Sequence, residues 1–190
     1  SKQTLLLAVE AGKKFKATGV IGFGGGSSMD IAKLVALILG SNEDLEQAWG
    51  VSNAKGPRLP LVLVPTTAGT GSEVTPVAII TVGEDEKKGV SSSIIIPDLA
   101  ILDPELTLGL PAGTTAATGI DAMVHAIEAY ASKNKNNNLI SRMIAIEALR
   151  LLGASIETAV LDGSNLEARG NMLIGSMLAG KAFANSPVAA

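Results

Sequence analysis

The feature that most constrains this chain is a run of glycines set between two apolar segments. Val20, Ile21, Gly22 and Phe23 read as a short buried strand, Gly24, Gly25 and Gly26 follow, and Ser27 and Ser28 lead into a helix expected over residues 29–39 that stops at Gly40. Strand, glycine turn and helix together begin an α/β layer. Adjacent glycines are costly in backbone entropy, so they mark a place where another backbone or a ligand comes very close. The helix that follows turns its unpaired N–H groups and the positive end of its dipole toward the turn, which suits a phosphate. The plainer reading is a tight turn with Ser27 or Ser28 as helix cap. Two familiar motifs are absent: residues 22–27 lack the last glycine of the dinucleotide fingerprint, and no Gly-Lys-Ser/Thr follows as a P-loop requires.

Before the turn, residues 2–17 carry Leu5, Val9 and Phe15 at apolar positions and Lys13, Lys14 and Lys16 near the end, as expected of a surface helix with a cationic C-terminus. After it, strands are expected at 61–64, 77–82 and 99–102, with a charged turn at 84–88. From Ala112 onward only helical periods occur, at 114–132, 139–152, 155–160 and 165–184, with a polar, Asn-rich loop at 133–138. Strands first and helices afterwards suggest two domains, 1–108 and 109–190, joined near 103–111. Leu173, Ile174, Met177 and Leu178 are expected to present apolar faces without partners, which favours self-association.

Composition restricts the function classes. Hydrophobic residues make up 47% of the chain and charged residues 17%, which excludes a disordered tail; aromatic residues are only 3%, so the core is aliphatic. A net charge of -3 without a Lys/Arg run gives no footprint for nucleic acid or an anionic membrane surface. The most apolar stretch, 31–39, is interrupted by Lys33 and is shorter than the ~20 residues of a membrane span. The absence of cysteine excludes disulfides, thiolate metal sites and thiol nucleophiles. A small-molecule partner is expected, and the lack of a signal peptide points to the cytoplasm.

Two further constellations carry chemistry. The loop that follows the strand at 61–64 contains Thr66, Thr67, Gly69, Thr70, Gly71 and Ser72, and supplies hydroxyls and flexible backbone. Ligands of open α/β sheets sit beyond the carboxyl ends of the strands, so this loop and the glycine turn are expected to serve one crevice. Thr70 and Glu73 also fit a capping box. Asp121 and His125, the only histidine, lie four apart on an expected helix and share a face. Such a pair is either an ordinary hydrogen bond or half of a divalent-cation site. Its neighbours Ala122, Met123, Val124, Ala126, Ile127 and Ala129 are apolar, and a charged group there needs a partner; Glu128 either supports the pair or is solvated.

Taken in order, residues 24–33 (GGGSSMDIAK), 65–73 (PTTAGTGSE), 97–106 (PDLAILDPEL) and 119–128 (GIDAMVHAIE) resemble the iron-containing (group III) alcohol dehydrogenases along the whole chain. The resemblance implies a partial α/β dinucleotide-binding domain, dehydroquinate synthase-like in plan, followed by a partial all-helical domain. It also implies hydride transfer between NAD(P)H and a small aldehyde or ketone, or the reverse from an alcohol, by a homo-oligomer. Carried over by position, Gly25, Gly26 and Ser27 hold the pyrophosphate of NAD or NADP, Asp30 buttresses that turn, and Thr66, Thr67 and Thr70 contact the cofactor. Ile79 packs on the cofactor and Lys87 reaches it, with Lys88 as the alternative register. Val77 faces the substrate. Asp121 and His125 are two of the metal ligands, for iron(II) or zinc. Family members extend further at both ends, so the chain is expected to lack a first strand-helix unit and two later metal-binding histidines. The alternatives are a truncated, inactive piece that keeps at most nucleotide binding, and a related NAD- and metal-dependent sugar-phosphate cyclase.

Overall fold

Fourteen residues at the start form α1 (Lys2–Phe15), in which Leu5 and Val9, one turn apart, are buried. Ser1 caps its first turn by accepting from the Thr4 N–H. Phe15, expected on the buried stripe, is 89% exposed, because the helix ends there and the chain leaves through Lys16 in the left-handed region. The structure, a computed structural model, describes residues 1–84 and 86–186. Asp85, within the expected charged turn, and residues 187–190 lie outside the described residues. The chain forms two compact units, Ser1–Val64 with Pro76–Ile101, and Pro65–Thr75 with Leu102–Ala190.

The first unit is built around α2 (Gly26–Ser41), which follows β1 (Val20–Gly24) directly. Nearly every residue from Met29 to Ile38 is buried, because the helix packs on two sides. Leu34, Val35 and Leu37 meet α1 and a first small sheet, while Met29, Ala32 and Ala36 meet Leu61 and Leu63. The helix begins earlier than expected and runs through Gly40 to a left-handed Asn42. Gly40 is no stop signal: a Cβ there would lie 2.6 Å from the Pro57 carbonyl oxygen, so glycine permits the following segment to cross the helix. After the short α3 (Leu45–Ala48) come β2 (Gly50–Val51), β3 (Leu61–Pro65), β4 (Val77–Thr81), β5 (Lys87–Ser91) and β6 (Leu99–Ala100).

These strands make two three-stranded sheets, ordered β1-β3-β6 and β2-β5-β4. β3 and β6 are parallel, with Val62 opposite Leu99. β6 is shorter than its apolar run, and side chains help to set its register. Arg58 grips the Asp98 carboxylate through both terminal nitrogens at 2.8 and 2.9 Å, and the same carboxylate accepts from the Leu61 N–H at 2.8 Å. β4 and β5 are antiparallel, pairing Ile79 with Gly89 and Thr81 with Lys87. The sequence reading missed β2 and β5. With Lys87, Lys88 and Gly89 in it, β5 has no strand propensity of its own and exists because β4 supplies the ladder.

The second unit holds α4 (Ala112–Ala131), α5 (Leu139–Leu161) and α6 (Leu166–Asn185). α5 is one helix where two were expected: Gly153 is solvent-facing, a Cβ there would meet no neighbouring element within 4 Å, and buried Leu152 and Ser155 carry the helix across it. Small residues let the three helices approach closely, with Ala122, Ala126 and Ala129 of α4, Ala145 and Ala148 of α5, and Ala179 and Ala182 of α6 all buried. Gly119 and Gly175 accept Met172 and Leu152 against their bare Cα atoms. Leu173, expected without a partner, is 1% exposed within this core; Met177 and Leu178 are half-buried, and only Ile174 faces outward. Among the described residues no helix is long and apolar enough to cross a membrane.

Candidate functional site

The glycine turn has the conformation that its residues require. Gly24 sits at φ 143, which side-chain-bearing residues rarely adopt, and a Cβ there would meet the Ser28 hydroxyl at 2.8 Å. Gly22, one strand residue earlier, is a packing glycine: a Cβ would lie 2.5 Å from Leu63 and 2.6 Å from Ala32. Gly25 is the N-cap of α2 in extended conformation and makes no side-chain cap bond. Gly26 therefore opens the helix, Gly25 and Gly26 are half-buried, and Ser27 is exposed. An uncapped first turn at the end of a 16-residue helix presents N–H groups and dipole to whatever lies beyond Gly25.

The remaining candidates of the first unit cluster around β4. One oxygen of Asp30 accepts from the Ile79 N–H at 3.0 Å, and Lys33, wholly buried, donates from Nζ to the Val77 carbonyl at 2.8 Å. The sequence reading treated Lys33 only as an interruption of an apolar stretch; its i, i+3 spacing from Asp30 was the available signal. Ala78 and Ile80 face the core, which leaves Ile79 on the outer face at 49% exposure. Strand pairing puts Lys87 on that same face, opposite Thr81. Lys88 falls on the other face, where it lies within ion-pair distance of Glu46. The ladder thus separates the two lysines that spacing alone left interchangeable.

The threonine loop belongs to the second unit. Thr66, Thr67 and Thr70 are half-buried, and the Thr70 hydroxyl accepts from the Ser72 N–H at 3.3 Å. The expected capping box gives way to a single 3-10 turn, Ser72–Val74, whose cap position is Gly71. Its glycines have a packing role that the sequence concealed. A Cβ on Gly69 would press on Thr118 of α4 at 2.9 Å, and one on Gly71, at φ 60, would lie 2.6 Å from the Cα of Gly180 in α6. The loop is thereby seated on the helices.

Asp121 and His125 share one face of α4, with Nε2 and Oδ1 3.9 Å apart. That is too long for a hydrogen bond, so the ordinary-pair reading is not what holds them. The imidazole leans on Phe183 of α6, ring centroids 4.9 Å apart, and its Nδ1 is buried without a hydrogen-bond partner among the described residues. A single divalent ion bound ~2.1 Å from each donor can bridge a gap of this size, so the pair fits as part of a metal's ligand set. Among the described residues no third His, Cys, Asp or Glu joins them. Glu128 is half-buried one turn further along.

Comparison with known proteins shows the family. The family model for "Iron-containing alcohol dehydrogenase" matches residues 1–104, and that for "Fe-containing alcohol dehydrogenase family, C-terminal" matches 115–190. The chain is 45% identical over 173 residues to long-chain-alcohol dehydrogenase 1 of Geobacillus thermodenitrificans, covering 90% of this chain and 43% of that protein. Its fold is similar to that of an alcohol dehydrogenase from Oenococcus oeni, with a TM-score of 0.93 at 39% identity, covering 98% of this chain and 48% of the other. It is similar also to a sulfoacetaldehyde reductase from Bifidobacterium kashiwanohense solved with NAD+, with a TM-score of 0.89 at 35% identity, covering 97% and 49%. The chain spans about half the length of the relatives it matches. Neither the cyclase nor the inert-piece alternative is favoured by these likenesses. With both family models matched in order along one chain, the protein belongs to the iron-containing alcohol dehydrogenase family.

Proposed function

We propose that the protein, in its active form, transfers hydride reversibly between NAD(P)H and the carbonyl carbon of a small aldehyde or ketone. The observation that carries this reading is an uncapped, glycine-opened helix N-terminus within a chain that matches both family models. In this reading the N–H groups of Gly26 and Ser27, with Gly25 leaving room, bind the pyrophosphate of NAD or NADP. Ile79 and Lys87 on the outer face of the β4–β5 ribbon contact the cofactor further along, and Thr66, Thr67 and Thr70 supply hydroxyls to it. Asp121 and His125 would hold a divalent cation, iron(II) in the first instance and zinc in the second. When bound, such a cation polarises the substrate oxygen, and the nicotinamide carries the hydride. The side chains bind and orient, and no side-chain nucleophile is required.

The division into a nucleotide-binding domain, 1–108, and a helical metal-binding domain, 109–190, belongs to the same proposal, as do a cytoplasmic setting and a homo-oligomeric state. The matched ranges of the two family models, which lie on either side of residue 108, support the division. The test is aldehyde-dependent oxidation of NADH and of NADPH, with the Gly26→Asp variant beside the wild type. A carboxylate placed at the helix N-terminus occupies and repels the phosphate position, so NADH titration followed by fluorescence should show binding in the wild type and none in the variant. Equal affinity in both would sink the pyrophosphate assignment.

A further inference from the structure

β4 is the outer strand of its sheet, so among the described residues one of its backbone edges has no strand beside it. The ladder identifies which groups lie on that edge. Pro76 accepts from the Ser92 N–H, and Ala78 and Ile80 pair with Val90 and Lys88, so the backbone groups of Val77 and Ile79 point the other way. There α2 takes the place of a strand. Asp30 accepts from the Ile79 N–H and Lys33 donates to the Val77 carbonyl, while Lys33 Nζ lies 3.9 Å from the second oxygen of Asp30. One acceptor and one donor, two strand residues apart, are what a neighbouring strand would have offered. The i, i+3 spacing puts both side chains on one helix face, and complete burial of an ammonium is tolerated only where it is paired.

The helix that supplies this clamp is the one whose first turn is Gly26, Ser27 and Ser28. We propose that Asp30 and Lys33 are positioning residues which, by gripping the open edge of β4, fix Ile79 relative to the glycine turn so that one dinucleotide meets both. The inference rests on the dinucleotide reading above and adds to it a division of labour. Asp30, expected from the resemblance to buttress the turn, acts on this proposal at β4: the turn binds pyrophosphate by itself, whereas the rest of the cofactor depends on the clamp.

Three variants of the intact protein test it: Lys33→Met, which removes the bond to Val77, and Asp30→Leu, which removes the bond to Ile79, each together with the Asp30–Lys33 ion pair, and Asp30→Asn, which keeps an oxygen acceptor for Ile79. NADH affinity is followed by fluorescence, inorganic pyrophosphate by NMR shifts of the Gly26 and Ser27 amides, and the edge itself by hydrogen exchange at the Ile79 amide. Lys33→Met and Asp30→Leu should weaken NADH roughly tenfold and speed exchange at Ile79, with pyrophosphate affinity unchanged, while Asp30→Asn retains most of the NADH affinity. If one variant does not fold, the other carries the same comparison. NADH and pyrophosphate weakened by the same factor would overturn the proposal, as would NADH affinity unchanged while Ile79 exchanges faster. Wild-type protein that binds neither probe would overturn the dinucleotide reading itself, and the proposal with it.

Discussion

Gly71 and Gly153 are the same residue under opposite constraints. Gly71 is in the left-handed region and touches the backbone of Gly180, so Gly71→Ala incurs both strain and a clash that no side-chain rotation relieves, costing about 1–3 kcal/mol. Gly153 lies in mid-helix with open space around it, and Gly153→Ala should add roughly 0.5–1 kcal/mol. Urea denaturation of the two variants should therefore move the midpoint in opposite directions; a common direction contradicts the packing described for the loop. Asp98 offers a second test at this scale. Hydrogen bonds from Arg58, then the Leu61 N–H, hold its carboxyl down at about 2, against an ordinary 3.8. Folding thus favours the ionised form. The stabilisation is fully present above roughly pH 5 and is lost as the pH falls toward 2, because the unfolded chain takes up the proton first. Asp98 is largely exposed, so the effect is modest. Unfolding measured between pH 5 and pH 2 should show a smaller acid loss in Asp98→Asn than in the wild type.

At the scale of elements, α5 shows local chemistry and packing acting together. Its start is locally specified: Asn138 accepts from the Ser141 N–H, and the Ser141 hydroxyl accepts in return from the Asn138 N–H, a reciprocal cap. Asn138→Ala should cost about 1 kcal/mol. Ser141 is buried and also bonds Ser186, which caps the end of α6, so Ser141→Ala should cost more than Asn138→Ala when both are melted under one condition. A larger loss for Asn138→Ala would mean that the cap alone, not its tie to α6, sets stability here. The middle of α5 is another matter. Gly153 looks like a break in the sequence and is not one, just as Gly40 looks like the end of α2 and is a crossing point. β5 errs in the other direction, being a strand that only its partner reveals.

For the molecule as a whole, the metal site is the sharpest test. Asp121 and His125 are the two proposed ligands that the described residues bring together, and two protein ligands would leave an ion mostly hydrated. The chain of 190 residues, loaded anaerobically with ferrous iron or with zinc and then desalted, should lose the ion. Stoichiometric retention that disappears in His125→Ala would show that the set is complete within these residues. What the sequence determined by itself was whatever depends on near neighbours: the succession of strand, glycine turn and helix that starts at Val20, the shared helix face of Asp121 and His125, the Asn-rich loop before α5, and the helical character of the chain after Ala112. These follow from backbone conformation and helical period, which a local stretch encodes. Only the tertiary structure could decide which lysine shares a face with Ile79, why Gly69 and Gly71 must be glycine, and that Lys33 and Asp30 close the edge of β4. Each of those depends on a backbone group or side chain tens of residues away, and neither period nor propensity records what the fold will bring alongside.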